Sequence, residues 1–176
     1  MQSQNNVVEQ FKKDCRFFID QRNIERLTVH EIRKYNVLSI EVGKIMRDLA
    51  YRGGGIVNLR DTFVYAYLSD NEDGARKYQE YCKICNVSFR SKEEFDRLIS
   101  NMSVNDYDIS KGAICIDQNN LILEGQHRAC ILLKKYGPHH KITVVKISYR
   151  EKMSLRHIMK LFVAKMKNKF YLMRNK

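Results

Sequence analysis

The sequence lacks a long apolar run, a secretory signal and an internal repeat, and each absence removes a class of protein. No stretch of about eighteen consecutive apolar residues is present, so no transmembrane helix is predicted. Residues 1–6 are polar and do not show the basic and then apolar order of a signal peptide, which predicts a soluble, cytoplasmic protein. The lack of a fixed period argues against repeat architectures.

The five cysteines are odd in number and scattered along the chain, at Cys15, Cys82, Cys85, Cys115 and Cys130. A chain of 176 residues can bury a core without disulfide bonds, so this pattern indicates a reducing compartment. Cys82 and Cys85 have the spacing of half a zinc site, but no second pair follows them, and His139-His140 is the only compact complement. Ordinary helix cysteines are therefore expected, and no set of protein ligands for a metal is predicted.

Positive charge is concentrated towards the C-terminal end of the sequence. The net charge is +12, and residues 141–176 hold eleven Lys or Arg residues against one acid, Glu151. Apolar residues at helical spacing predict a basic amphipathic helix within residues 150–176, with a stripe formed by Leu155, Met159, Phe162, Met166, Phe170 and Met173. Such a helix suits nucleic acid, an anionic membrane surface or plain solvent. The absence of tryptophan and of a helix-turn-helix pattern counts against DNA.

Periodicity divides the rest of the chain into a helical extension, residues 1–27, and a mixed domain, residues 28–149. Apolar residues of the extension recur at helical spacing and predict a helix. Thr28, with Glu31 three residues later, has the pattern of a capping box and predicts the start of a second short helix.

The domain is predicted to alternate strands and helices. Residues 37–42 form an apolar run typical of a strand, followed by Gly43. Residues 75–85 and 92–102 show helical periodicity, and Ser91 is the expected N-cap of the second of these helices.

A change of pattern follows residue 108. Two short apolar runs, residues 113–116 and 121–123, are separated by polar turn residues and predict a hairpin. Residues 128–136 then predict a helix that ends at Gly137-Pro138, and residues 142–147 predict another strand.

The segment Glu124-Gly125-Gln126-His127-Arg128, between a predicted strand and helix, has the chemistry of an anion site. Glycine permits a tight turn, and the first helical turn after it presents N–H groups and the positive end of the helix dipole. Arg128 adds a forked cation suited to two phosphate oxygens, and His127 adds a second donor near neutral pH. Glu124 is predicted to hold Mg²⁺ or to bond a ribose hydroxyl. The competing interpretation is a plain turn with a capping histidine and a surface arginine.

Residues 113–147 resemble the ParB/sulfiredoxin family. The family pattern is a strand, a turn, a strand ending in an acid, Gly-x-His-Arg or a related arginine motif, a helix and a strand. Here the motif stands as Gly125-Gln126-His127-Arg128 after Glu124, and a weaker match covers residues 40–45. The resemblance implies an α+β fold with a small mixed sheet and a nucleotide whose phosphates rest on the glycine turn and its arginine.

Members of this family differ in their chemistry. Sulfiredoxins have a cysteine where this chain has Gln126, and neither Cys115 nor Cys130 occupies that position. Partition ParB proteins continue into a helix-turn-helix domain, for which too little sequence remains. The turn is more similar to that of free serine kinases, with Glu124 in place of the commoner Asp. The layout that includes Asn58-Leu59-Arg60-Asp61 also resembles ParB-like proteins of bacterial surface-polysaccharide gene clusters.

We therefore predict a protein that binds ATP or ADP with Mg²⁺ through residues 124–128, with Arg60, beside the glycine loop of residues 52–55, as a further phosphate ligand. Phosphoryl transfer to a small hydroxylated metabolite, an amino acid or a sugar, would need a carboxylate near the acceptor, and Glu41 and Asp61 are the candidates. The alternatives are a non-catalytic ParB-like DNA-binding or regulatory protein and an accessory protein of surface-polysaccharide biosynthesis.

Overall fold

The structure is a computed structural model that describes residues 4–17, 19–49, 55–69, 72–85, 92–150 and 154–175. These residues form an α+β fold, as predicted, with a mixed four-stranded sheet and a two-stranded hairpin. The helices are α1 (Gln4–Cys15), α2 (Gln21–Leu27), α3 (Phe63–Tyr67), α4 (Glu72–Cys85), α5 (Lys92–Val104), α6 (Gln126–Tyr136) and α7 (Leu155–Arg174). The strands are β1 (Ile32–Glu41), β2 (Met46–Asp48), β3 (Ile56–Asn58), β4 (Cys115–Asp117), β5 (Ile122–Glu124) and β6 (Lys141–Tyr149).

The large sheet has the strand order β1-β6-β4-β5, in which β6 pairs antiparallel with β1 and parallel with β4. The ladder between β1 and β6 is the longest, and it ends with Glu41 opposite Lys141. β4 and β5 form the hairpin that the sequence predicts. β2 and β3 pair with each other, and a bridge between Met46 and Leu121 joins this smaller hairpin to the start of β5.

Alternation along β6 supplies side chains to two separate cores, because successive residues of a strand point to opposite faces. Ile142 and Val144 lie in the core formed with α6. Val145 and Ile147 lie in the other core, together with Phe11 and further residues of α1 and α2. The N-terminal helices therefore cover one face of the sheet.

Thr28 does not begin a helix, so that prediction is wrong. It follows α2, and its N–H and its hydroxyl both donate to the carbonyl of Glu25. The N-cap of α2 is Asp20, whose carboxylate accepts a hydrogen bond from the N–H of Arg22. The residues after Thr28 form β1, which starts at Ile32, because they pair with β6 across more than a hundred positions of sequence. Such tertiary pairing overrides a local helix signal.

The other local predictions agree with the described part of the chain. The helices predicted over residues 75–85 and 92–102 correspond to α4 and α5, and the helix predicted to end at Gly137 corresponds to α6. Residues 52–54 of the glycine loop and the proposed N-cap Ser91 lie outside the described residues.

The long basic helix is present as α7, and it packs closely against Gly43. A β-carbon at Gly43 would lie 2.7 Å from Cδ2 of Leu172 and 2.6 Å from Cβ of Pro138. Only a residue without a side chain fits between these groups. Over the described ranges, no helix has the length and apolar character needed to cross a membrane.

Candidate anion-binding site at the Gly125 turn

Gly125 forms the turn from β5 into α6 in a conformation that favours glycine. Its φ is 81°, in the left-handed region, and it is the N-cap of α6. A β-carbon here would lie 2.9 Å from the carbonyl oxygen of Ala113 and 3.0 Å from Cα of Ile114. The first hydrogen bond within the helix runs from Ala129 N–H to the Gly125 carbonyl. The N–H groups before Ala129 therefore form the positive end of the helix.

The guanidinium of Arg128 packs against a second glycine with positive φ, Gly112. Gly112 has φ 139°, and a β-carbon at this position would collide with the guanidinium group of Arg128. Nearby, the hydroxyl of Tyr107 accepts a hydrogen bond from Ile114 N–H at 3.0 Å. Burial raises the pKa of Tyr107 to about 12, which keeps this hydroxyl neutral. The guanidinium of Arg128 is seated on the bare backbone of Gly112, which precedes β4.

A polar cavity of about 560 Å³ opens at this end of α6. Three cations line it, Arg128 from α6, Arg16 from the end of α1 and Lys111 from the 3₁₀ turn Ile109–Lys111. Asp20 and Glu124 line it as well. Arg16, Lys111 and Asp20 were not predicted as site residues, because no local pattern connects them with the turn. Packing of α1 and α2 on the sheet brings Arg16 and Asp20 there, and pairing of β4 with β5 brings Lys111 there.

Glu124 already has a partner in the N-terminal helices. Its Oε2 accepts a hydrogen bond from Nη2 of Arg26 at 2.7 Å, and the same nitrogen lies 2.8 Å from the carbonyl oxygen of Leu123. A cation or a ribose hydroxyl at Glu124 would share the carboxylate with this arginine. The predicted role of Glu124 in binding Mg²⁺ or ribose stays a prediction.

His127 faces an aromatic cluster formed by α3, α4 and α5. Its Nε2 lies 2.9 Å from the hydroxyl of Tyr78, and its ring meets that of Phe95 edge to face, with 4.6 Å between centroids. Tyr67 packs against both of these aromatic rings. His127 and Gln126 are half-buried, and neither lines the cavity that contains Arg128. These contacts join His127 to aromatic residues of α4 and α5.

The predicted catalytic carboxylates line other cavities. Glu41, at the end of β1, lies 3.4 Å from Nζ of Lys44 and 3.7 Å from Nδ1 of His139, and these three residues line a cavity of about 410 Å³. Asp61 lies 3.6 Å from Nε of Arg60 in a third cavity, beside α7. The structure thus brings neither carboxylate into the cavity of Glu124 and Arg128.

Arg60, the further predicted phosphate ligand, also lies away from the Gly125 turn. Its guanidinium stacks on the ring of Tyr171 in α7, with 3.7 Å to the centroid. This contact is a cation–π interaction that fixes the arginine against the C-terminal helix.

The cysteines near the turn are buried thiols. Cys130 is fully buried, 3.8 Å from the hydroxyl of Thr62, and burial raises its pKa to about 12. Burial also raises the pKa of Cys115. Thiols in this state are poor nucleophiles at neutral pH.

Protein side chains alone do not form a metal site in the described ranges, where no group of three or more His, Cys, Asp or Glu residues could hold an ion. Mg²⁺ commonly uses phosphate oxygens and water together with one or two carboxylates. In this cavity Glu124 and Asp20 are the carboxylates that could complete such a set, provided that a ligand supplies the phosphates.

Comparison of the chain with family models, with curated proteins and with solved structures finds no match in any of the three.

Proposed function

We propose that the chain binds a nucleotide through its phosphates at the Gly125 turn, in a manner similar to that of the ParB/sulfiredoxin family. The observation that carries this proposal is the position of Arg128. Its guanidinium is seated on Gly112, beside the N-terminus of α6, in a cavity that Arg16 and Lys111 also line. A helix N-terminus and three cations that line one cavity together favour a multiply charged anion.

The size and polarity of the cavity fit a nucleotide better than an isolated phosphate. Its volume of about 560 Å³ lies in the range typical of cavities for small molecules and cofactors. Glu124 and Asp20 would repel a bare anion, but they can accept bonds from ribose hydroxyls or share a Mg²⁺ ion with the phosphates. ATP and ADP with Mg²⁺ are therefore the ligands to test first.

Phosphoryl transfer to a small hydroxylated metabolite is the second candidate function. General-base catalysis needs a carboxylate within hydrogen-bonding reach of the acceptor hydroxyl. Asp20 and Glu124 line the cavity, whereas Glu41 and Asp61 line others. Asp20 also caps α2, and Glu124 is paired with Arg26. Binding without catalysis, as in a regulatory protein, therefore has the stronger support.

Thermal unfolding with added nucleotides tests the binding proposal, because a ligand of the folded state raises Tm by mass action. We expect ATP and ADP with Mg²⁺ to raise Tm and adenosine, which has no phosphate, to leave it unchanged. Arg128→Ala should weaken nucleotide binding by about 1.5 to 3 kcal/mol, the scale of a charge-assisted contact. Arg97→Ala, at an exposed arginine of α5, is the matched control and should bind as the unchanged protein does.

Two results would contradict the proposal. One is equal nucleotide affinity in folded Arg128→Ala and in the unchanged protein. The other is a shift in Tm that adenosine produces as fully as ATP does, since recognition would then not involve the phosphates.

A further inference from the structure

α7 packs on the protein through one narrow face. Leu161, Ala164 and Asn168, spaced three and four residues apart, are its buried residues. Leu161 and Ala164 pack with Met46 and Leu121, and the side-chain amide of Asn168 donates a hydrogen bond to the carbonyl of Gly43 at 3.0 Å. This spacing defines one side of a helix.

The opposite side of α7 is apolar and exposed. Its large apolar side chains are between 42% and 82% exposed, and they are Leu155, Ile158, Met159, Phe162, Val163, Met166, Phe170 and Met173. We call this set the exposed stripe. At 100° per residue, the stripe is centred opposite the packed face. Single exposed apolar side chains are ordinary, but a continuous strip of them marks an interaction surface.

Positive charge borders the exposed stripe on both sides. α7 contains six Lys or Arg residues and no acid. By helical geometry, Lys165 falls at one edge of the stripe with Lys169 just inside that edge, and Arg156 and Lys167 fall along the other edge. An apolar centre with basic edges matches the acyl boundary and the anionic headgroups of a lipid surface at the same time.

We propose that α7 lies on an anionic phospholipid surface, with the exposed stripe inserted at the headgroup boundary. A second copy of the chain fits less well, because pairing two stripes would bring together two helices that each carry six positive charges and no negative one. Nucleic acid would use the charges but would leave Phe162, Met166 and their apolar neighbours in contact with phosphate and water.

The cavity of about 410 Å³ that Glu41 and His139 line adjoins the exposed stripe where a headgroup would lie. Lys44, Lys165 and Lys169 line it as well, and Met173 belongs both to its wall and to the stripe. Glu41 lies 3.4 Å from Nζ of Lys44, so the phosphate contacts are assigned to Lys165 and Lys169. Oδ1 of Asn168, a residue only 5% exposed, is buried on this wall without a hydrogen-bond partner among the described residues. A phospholipid headgroup supplies phosphate oxygens to the lysines, and its hydroxyl groups can donate to Asn168.

Co-sedimentation of the full chain with vesicles tests the proposal. We expect at least about tenfold tighter binding to phosphatidylcholine mixed with about one third phosphatidylglycerol than to phosphatidylcholine alone, because clustered basic residues are attracted to anionic lipid. Raising the salt to about 0.5 M should weaken binding to the mixed vesicles about tenfold, because ions screen the basic edges.

Two matched pairs of variants separate the exposed stripe from general effects of charge. Val163→Asp places a charge in the stripe and should lower binding at least about tenfold, since an acid then faces the acyl boundary. Val104→Asp makes the same change at an exposed valine of α5 and should leave binding unchanged. Lys165→Gln with Lys169→Gln should weaken binding more than Lys12→Gln with Lys13→Gln, which removes the same charge from α1.

Several outcomes would overturn the lipid proposal. They are equal binding of Val163→Asp and Val104→Asp, no preference for phosphatidylglycerol, a dimer in solution that Val163→Asp dissociates, and duplex DNA binding in place of vesicle binding. Saturable binding of glycerol 3-phosphate without vesicle binding would assign the cavity to a free phosphorylated compound. If Val163→Asp fails to fold, Phe162→Ser at a more exposed position of the stripe replaces it.

Discussion

α6 and α7 both carry many apolar residues, but the fold uses them differently. In α6, five consecutive residues from Ala129 to Leu133 are buried, because helices and sheet surround it. In α7, most large apolar residues are exposed, and the helix is held by a face that includes the polar Asn168. Apolar content alone therefore does not show which residues of a helix stabilise the fold and which remain available to a partner.

The largest loss of stability is expected for a substitution at Leu132, which is 1% exposed at the centre of α6. Leu132→Ala should lower the free energy of unfolding by about 2 to 5 kcal/mol, the cost of lost burial plus a cavity. Urea denaturation followed by circular dichroism measures it. A loss below about 1 kcal/mol would show that α6 is not packed as described.

An intermediate effect is expected where α7 is attached to the body. Asn168→Ala removes the amide that donates to the buried carbonyl of Gly43, and it should lower the free energy of unfolding by about 1 to 3 kcal/mol. Asn175→Ala is the matched control, because Asn175 donates to the carbonyl of Tyr171 at an exposed position. Similar losses in both variants by urea denaturation would mean that Asn168 does not anchor the helix.

The local parts of the fold were predictable from sequence, whereas its contacts across the chain were not. Gly125 and the Gly137-Pro138 pair mark the two ends of α6, so its extent could be inferred from neighbouring residues alone. Thr28 carried an equally local signal, but pairing of β1 with β6 decided the structure there. For α7 the sequence predicts a stripe that includes Phe162, but it cannot tell whether that stripe or the face of Leu161 is covered.

The candidate site likewise contains residues that a local motif predicts and residues that only tertiary packing brings together. Gly125 and Arg128 belong to one short motif, and their arrangement follows from the turn itself. Arg16 reaches the same cavity only because α1 and α2 cover the sheet, and Lys111 reaches it because β4 pairs with β5. His127 belongs to the motif as well, yet its ring packs with aromatic residues whose position depends on α4 and α5.

The smallest change in the free energy of unfolding is expected for a substitution in the exposed stripe. Leu155→Ala makes the same change as Leu132→Ala, but at a residue that is 82% exposed. It should change the free energy of unfolding by no more than about 0.5 kcal/mol, because little apolar surface leaves a packed environment. A loss comparable with that of Leu132→Ala in the same urea titration would mean that the stripe is covered in solution.

Because Gly43 has no side chain, α7 packs directly on the turn after β1. The attachment of α7 therefore depends on the part of the fold that forms this turn. The carbonyl that Asn168 binds and the gap that Leu172 fills exist only where the turn after β1 meets Pro138, and pairing of β1 with β6 creates that meeting point. α7 can therefore detach while the sheet persists, but separation of β1 from β6 removes the surface on which α7 rests. Local opening is graded in this way in most proteins, and here the contact at Gly43 is one of the links between the less stable unit and the more stable one.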